Sequence, residues 1–80
     1  MNKEALLKEI ETIDRLWFEE KEKNGGYDGS TLAFCYKSQY QILVSLLKKY
    51  FEWYNEISIL INGRCKKIKV YYDRVEISEI

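Results

Sequence analysis

The sequence predicts an α+β fold in which a two-helix antiparallel hairpin packs on a three-stranded antiparallel β-meander, in the order ααβββ. Two observations predict it. Apolar residues recur at helical spacing as far as residue 55, and residues 56–80 alternate between apolar and polar around an Asn62-Gly63 pair. A chain of 80 residues has room for one core, so we expect a single domain over residues 1–80.

The first predicted helix covers about residues 2–23. Its apolar stripe recurs at spacings of four, three and four, at Leu6, Ile10, Ile13 and Trp17. Charged residues between these positions, Asp14 among them, indicate a side that faces solvent. Asn2 is suited to cap the start, and the glycine pair after Asn24 is suited to end the helix. Residues 24–29 are therefore expected to form a loop.

The second predicted helix covers about residues 31–55 and is capped by Ser30. Its apolar stripe comprises Leu32, Cys35, Tyr36, Gln39, Tyr40, Leu43, Leu46, Leu47, Tyr50, Phe51 and Tyr54. An alternative remains for residues 31–37, because their composition also suits a strand and Ser38 with Gln41 forms a capping box for a later start. We expect the long helix, since its length matches the first. Its apolar surface is wider than one neighbouring helix covers, which predicts contact with the sheet or with another chain.

The region from about residue 56 to residue 80 is predicted to form the meander, with tight turns at Asn62-Gly63 and Asp73-Arg74. The first turn pairs Ile57 with Ile68, and the second pairs Tyr72 with Val75. One face then packs on the helices and carries Ile57, Ile59, Ile68, Val70, Tyr72, Val75 and Ile77. The open face carries Lys67, Lys69, Tyr71 and Glu76. Arg64 and Lys66 are expected to project from the hairpin tip on the packed side, beyond the core.

The composition argues against catalysis. The chain has no histidine, which removes an imidazole base, a Ser-His or Cys-His dyad and a histidine metal site. Its two cysteines, Cys35 and Cys65, cannot complete a four-thiolate zinc site, and no phosphate-binding loop is present. We therefore expect no enzymatic activity, no catalytic residue, no cofactor and no metal. The charged N-terminal segment predicts a cytoplasmic protein that does not contact a membrane.

Candidate partner-binding residues come from the basic run and from the aromatic side chains. Residues 57–74 carry five cations against Asp73 alone, although the chain as a whole has no net charge. Aromatic residues are too numerous for one small core, so some are expected to anchor an interface. The predicted partner-binding residues are Arg64, Lys66, Lys67, Lys69, Tyr71, Phe18 and Trp53.

These features predict a small non-enzymatic protein-interaction module. A specific version is a phage or mobile-element inhibitor that blocks a host defence complex, one that processes nucleic acid, by surface complementarity. Two alternatives are a small nucleic-acid-binding regulator that uses the basic hairpin, and a homo-oligomeric structural subunit such as a homodimer. Direct nucleic-acid binding is the weaker expectation. The predicted register places Glu56 opposite Lys69 and Glu76 opposite Tyr71, which dilutes the basic patch, and the pI of about 6.3 is below that of a dedicated nucleic-acid-binding protein.

Overall fold

The computed structural model describes residues 2–52 and 55–80, with the backbone alone for Phe51, and has the predicted ααβββ order. Helix α1 covers Lys3–Lys23 and helix α2 covers Thr31–Phe51. Strands β1 (Glu56–Ile61), β2 (Arg64–Val70) and β3 (Val75–Glu79) form an antiparallel sheet in the order β1-β2-β3. The predicted fold class is confirmed.

Helix α1 begins and ends as the sequence predicts. The Oδ1 atom of Asn2 accepts a hydrogen bond of 2.8 Å from the Ala5 N–H, which satisfies one of the unpaired amides of the first turn. After Asn24, Gly25 has a φ of 67°, the left-handed conformation that commonly ends a helix. The predicted apolar stripe is buried against α2, where the Trp17 and Tyr40 ring centroids lie 5.7 Å apart.

Helix α2 begins at Thr31, so residues 31–37 are helical and the alternative strand is wrong. The Ser30 hydroxyl accepts a hydrogen bond of 3.3 Å from the Ala33 N–H. The helix ends at Phe51, earlier than the predicted end at residue 55, because Glu52 adopts a left-handed conformation with a φ of 48°. The chain has to turn here, since the Asn55 carbonyl already accepts a hydrogen bond from the Val70 N–H of the sheet.

The buried side of α2 differs from the predicted stripe. Tyr40, Val44 and Leu47 are fully buried, whereas Leu32 and Leu46, which belong to that stripe, are exposed. Helical spacing identifies a buried side only where polar residues occupy the opposite side. This helix is apolar around most of its circumference, so the pattern could not select the side that packs on the core.

The first hairpin has the predicted register. Asn62 and Gly63 have φ values of 51° and 75°, as a type I′ turn requires, and Ile57 pairs with Ile68.

The second turn was placed incorrectly. Val75 pairs with Val70, whereas the predicted partner of Val75 was Tyr72. The turn therefore centres on Tyr72-Asp73, and the Tyr71 N–H donates a hydrogen bond of 2.8 Å to the Arg74 carbonyl across it. Tyr72 is fully exposed in this turn and not packed, contrary to the prediction. The two registers differ by an even number of residues and place the same β2 and β3 side chains on each face, so the alternation within the strands could not separate them.

Replacement of Gly63 tests the first turn. A Cβ at this position would contact nothing within 4 Å, so the cost of Gly63→Ala comes from the left-handed backbone alone. We expect the free energy of unfolding to fall by about 1 kcal/mol in chemical denaturation. Ser58→Ala, at an exposed position of β1, is the control and should change it little. Equal stability of the Gly63→Ala variant and the unchanged protein would contradict the turn geometry.

Candidate functional site

The most prominent chemical feature is a buried ionic cluster between α1 and the first hairpin. The Asp14 carboxylate is fully buried. Its Oδ2 atom accepts hydrogen bonds from the Nδ2 of Asn62 at 3.0 Å and from the Nη2 of Arg64 at 2.6 Å, and its Oδ1 atom accepts one from the Nζ of Lys66. A carboxylate without these donors would be very costly to bury, so the three partners permit its position. Asp14 was assigned to the solvent-facing side of α1, and that assignment is wrong.

Lys66 is only 2% exposed, so the expectation that it projects beyond the core is also wrong. It precedes Ile68 by two residues on β2, so both side chains lie on the face of the sheet that packs against the helices. Besides its ion pair with Asp14, its ammonium lies 4.8 Å from the Trp17 ring centroid and 5.3 Å from that of Tyr40, so two aromatic rings help to stabilise the charge. In this fold the ammonium belongs to the interior and not to the surface.

Arg64 and Phe18 form the outer boundary of the cluster. The Arg64 guanidinium lies 4.0 Å from the Phe18 ring centroid, and its Nε is 3.8 Å from a carboxylate oxygen of Glu79. The Nδ2 of Asn62 also donates to the Glu11 carbonyl over 2.7 Å. Residues predicted to contact a partner therefore join α1 to the hairpin tip.

Three polar groups in this region have no hydrogen-bond partner among the described residues, the Tyr40 hydroxyl, the Trp17 Nε1 and the Arg64 Nε. Burial raises the pKa of Tyr40 above its ordinary value, and the Asp14 charge raises it further, while Arg64 acts in the opposite direction. The hydroxyl therefore stays protonated far into the alkaline range.

The remaining predicted partner-binding residues lie on the open face of the sheet or outside the described residues. Lys67 and Lys69 are half-buried, and both pair with Glu56, at 3.1 and 3.9 Å. Tyr71 is exposed and lies beneath the Arg74 guanidinium at 4.3 Å. Trp53 falls outside the described residues. The sheet face thus brings together three of the predicted residues, and their role in partner binding stays a prediction.

A further surface was not identified as a site by sequence. We call it the outer face of α2, and it consists of five exposed residues on one side of the helix, Leu32, Cys35, Ile42, Leu46 and Tyr50. Ile42 is 62% exposed and, with Tyr71 and Tyr72, lines a cavity of about 370 Å³ between α2 and the turn before β3. The excess apolar width of α2 was the signal for this surface, but the sequence did not show which side would be open.

No protein family, curated protein or solved structure matches this chain. Among the described residues, neither helix combines the length and apolar character needed to cross a bilayer. Residues 2–52 and 55–80 also contain no group of three or more acidic or cysteine side chains that could hold a metal ion.

Replacement of Asp14 should show what the cluster contributes to stability. Asp14→Ala leaves Lys66 buried without its carboxylate, and we expect the free energy of unfolding to fall by about 3 kcal/mol or more. Asp14→Leu/Lys66→Met removes both charges and should recover much of that loss. Chemical denaturation measures both, with Glu9→Ala on the exposed side of α1 as the control. A double variant no more stable than Asp14→Ala would contradict the pairing.

Replacement of Tyr40 tests the unpaired hydroxyl. The folded protein disfavours ionised Tyr40, so the unfolded chain ionises first above pH of about 10, and stability falls as the pH rises through that range. Tyr40→Phe should leave neutral-pH stability within about 1 kcal/mol and should weaken the alkaline decline. Denaturation curves at several alkaline pH values measure this, with Tyr27→Phe at an exposed position as the control. If stability declined equally with pH in the Tyr40→Phe and Tyr27→Phe variants, Tyr40 would not be the cause of the alkaline decline.

Proposed function

We propose that this chain is a small non-enzymatic protein-interaction module whose partner contacts the outer face of α2 and the neighbouring turn. The supporting observation is the exposure of Ile42, Leu46 and Tyr72 on adjacent elements. Large apolar side chains grouped at a surface are typical of protein-binding sites, and tyrosine is frequent among the residues that anchor them.

The charge of α2 specifies the chemistry of the partner. The helix contains no acidic residue between Thr31 and Phe51, and the exposed Lys49, three residues after Leu46, lies beside the outer face. A complementary partner would present an apolar patch bordered by carboxylates. A second copy of the chain would bring its own Lys49 towards this Lys49, with no carboxylate on α2 to pair with either, so we assign the surface to a different protein.

The basic hairpin supports a nucleic-acid function less well. Arg64 and Lys66 are bonded to Asp14, and Lys67 pairs with Glu56. A phosphate backbone would have to compete with these carboxylates. The narrower hypothesis, an inhibitor of a host defence complex, stays a prediction.

Site-specific photo-crosslinking tests the proposal. A photoreactive phenylalanine analogue at Ile42 or Tyr72 should crosslink to the same protein in host cells, whereas the analogue at Lys8, exposed on α1, should not. The purified protein should bind the chain, and this binding should saturate at a fixed stoichiometry. Removal of apolar area by Ile42→Ala/Leu46→Ala should weaken the affinity by about tenfold or more.

Leu60→Ala is the matched control, because Leu60 is an exposed aliphatic residue on the open face of the sheet. Crosslinking no stronger at Ile42 than at Lys8 would contradict the proposal. So would concentration-dependent dimerisation of the pure chain that Ile42→Ala abolishes, which would favour a homo-oligomeric subunit.

A further inference from the structure

The outer edge of β3 is open to a further strand. Within the part of the chain that the structure describes, the sheet ends at β3. The Tyr71 N–H donates to the Arg74 carbonyl and the Ile80 N–H donates to the Cys65 carbonyl, so the even-numbered residues of β3 bond to β2. In an antiparallel ladder the residues between them direct their peptide groups to the other side. The peptide groups of Ile77 and Glu79 therefore face away from the sheet.

Helix α2 lies beside this edge but covers only one end of it. The Nε2 of Gln41 donates to the Val75 carbonyl over 2.9 Å, which shows directly that this carbonyl points outward. A side-chain amide has taken the place that a strand donor would occupy. From Ile77 to Glu79 no neighbouring strand among the described residues occupies the corresponding positions.

The space along the edge is a groove formed by two cavities. One has a volume of about 450 Å³ and the other about 240 Å³, and both are lined by Lys37, Ile77 and Ser78. A strand edge beside a helix is the arrangement in which extended peptides bind by strand addition.

The charge of the groove selects the kind of peptide. Five lysines and three carboxylates line it, but Lys66 is bonded to the buried Asp14, and Lys67 and Lys69 pair with Glu56. The lysines left to bind a ligand are Lys21 and Lys37. Lys37 pairs with Asp28 at 3.2 Å. Lys21 is half-buried beside the Trp17 ring, 5.7 Å from its centroid, and no ion pair to it is found among the described residues. Trp17, whose indole N–H has no partner in that part of the chain, also lines this end.

We propose that this groove binds an acidic peptide segment in extended conformation, which adds to β3 as a fourth strand. Main-chain hydrogen bonds form with Ile77 and Glu79, and the peptide's acidic side chains pair with Lys21 and Lys37. A second copy of the chain is a weaker occupant, since β3 against β3 would place Lys37 near its own counterpart. The groove is separate from the outer face of α2 and does not depend on the function proposed for that face.

The probe is an acetylated and amidated peptide of alternating Glu and Val, about seven residues long to span the edge. Titrated into the ¹⁵N-labelled protein to about 1 mM, it should shift the amide signals of Ile77 and Glu79. The amides of Ser58 and Leu60, which face the outer edge of β1, should not shift. A Lys-Val peptide of equal length should produce no shifts, and N-methylation of the Glu-Val peptide along its bonding edge should abolish binding.

Lys21→Ala/Lys37→Ala should weaken the affinity for the Glu-Val peptide by about tenfold. Lys8→Ala/Lys49→Ala removes two exposed lysines elsewhere and should leave it unchanged. An unaltered amide spectrum away from the substituted sites confirms that each variant is folded.

Absence of shifts at Ile77 and Glu79, or equal binding of the Lys-Val or N-methylated peptide, would overturn the proposal. Sedimentation as a dimer with protected Ile77 and Glu79 amides would overturn it too, because a second copy would then occupy the edge. Equal shifts with a single-stranded oligonucleotide would show recognition of charge alone and would have the same consequence.

Discussion

The position of α1 against the sheet depends on the buried carboxylate of Asp14. Burial of one charge at this depth is prohibitive without compensation, and Asn62, Arg64 and Lys66 provide it from the turn and the strand that follows. A shift of α1 along the sheet would leave the carboxylate or the Lys66 ammonium unpaired. The cluster thereby fixes the helix and the hairpin relative to each other, and it withdraws Arg64 and Lys66 from the surface.

Much of the fold could be predicted because several local signals agree. Asn62-Gly63 specifies a two-residue turn, and strict alternation on both sides of it assigns the faces of β1 and β2. The caps at Asn2 and Ser30 mark the helix starts. The second turn could not be placed from the same information. Its two registers place the same β2 and β3 side chains on each face and differ in whether Tyr72 is packed, so the choice depends on cross-strand pairs such as Lys69 with Glu76.

The candidate sites were harder to predict, because they depend on which side of each element is buried. Asp14 follows Ile10 by four residues and precedes Trp17 by three, so it lies on the apolar stripe, and Lys66 shares its strand face with Ile68. An acid and a base that each occupy an inward position predict a buried pair when they are considered together. For the outer face of α2 the excess apolar width of the helix was a signal, but it did not select a side, since apolar residues such as Val44 and Leu46 occur on both sides of that helix.

The most direct test of this account is NMR of the lysine side-chain ammonium groups at neutral pH. A buried, hydrogen-bonded Lys66 should give an ammonium signal that exchanges slowly with water, with chemical shifts displaced by the Trp17 and Tyr40 rings. It should differ clearly from Lys8, which is exposed on α1. Exchange at Lys66 as fast as at Lys8, without ring-current displacement, would show that the ammonium is in solvent and would contradict the central role of the cluster.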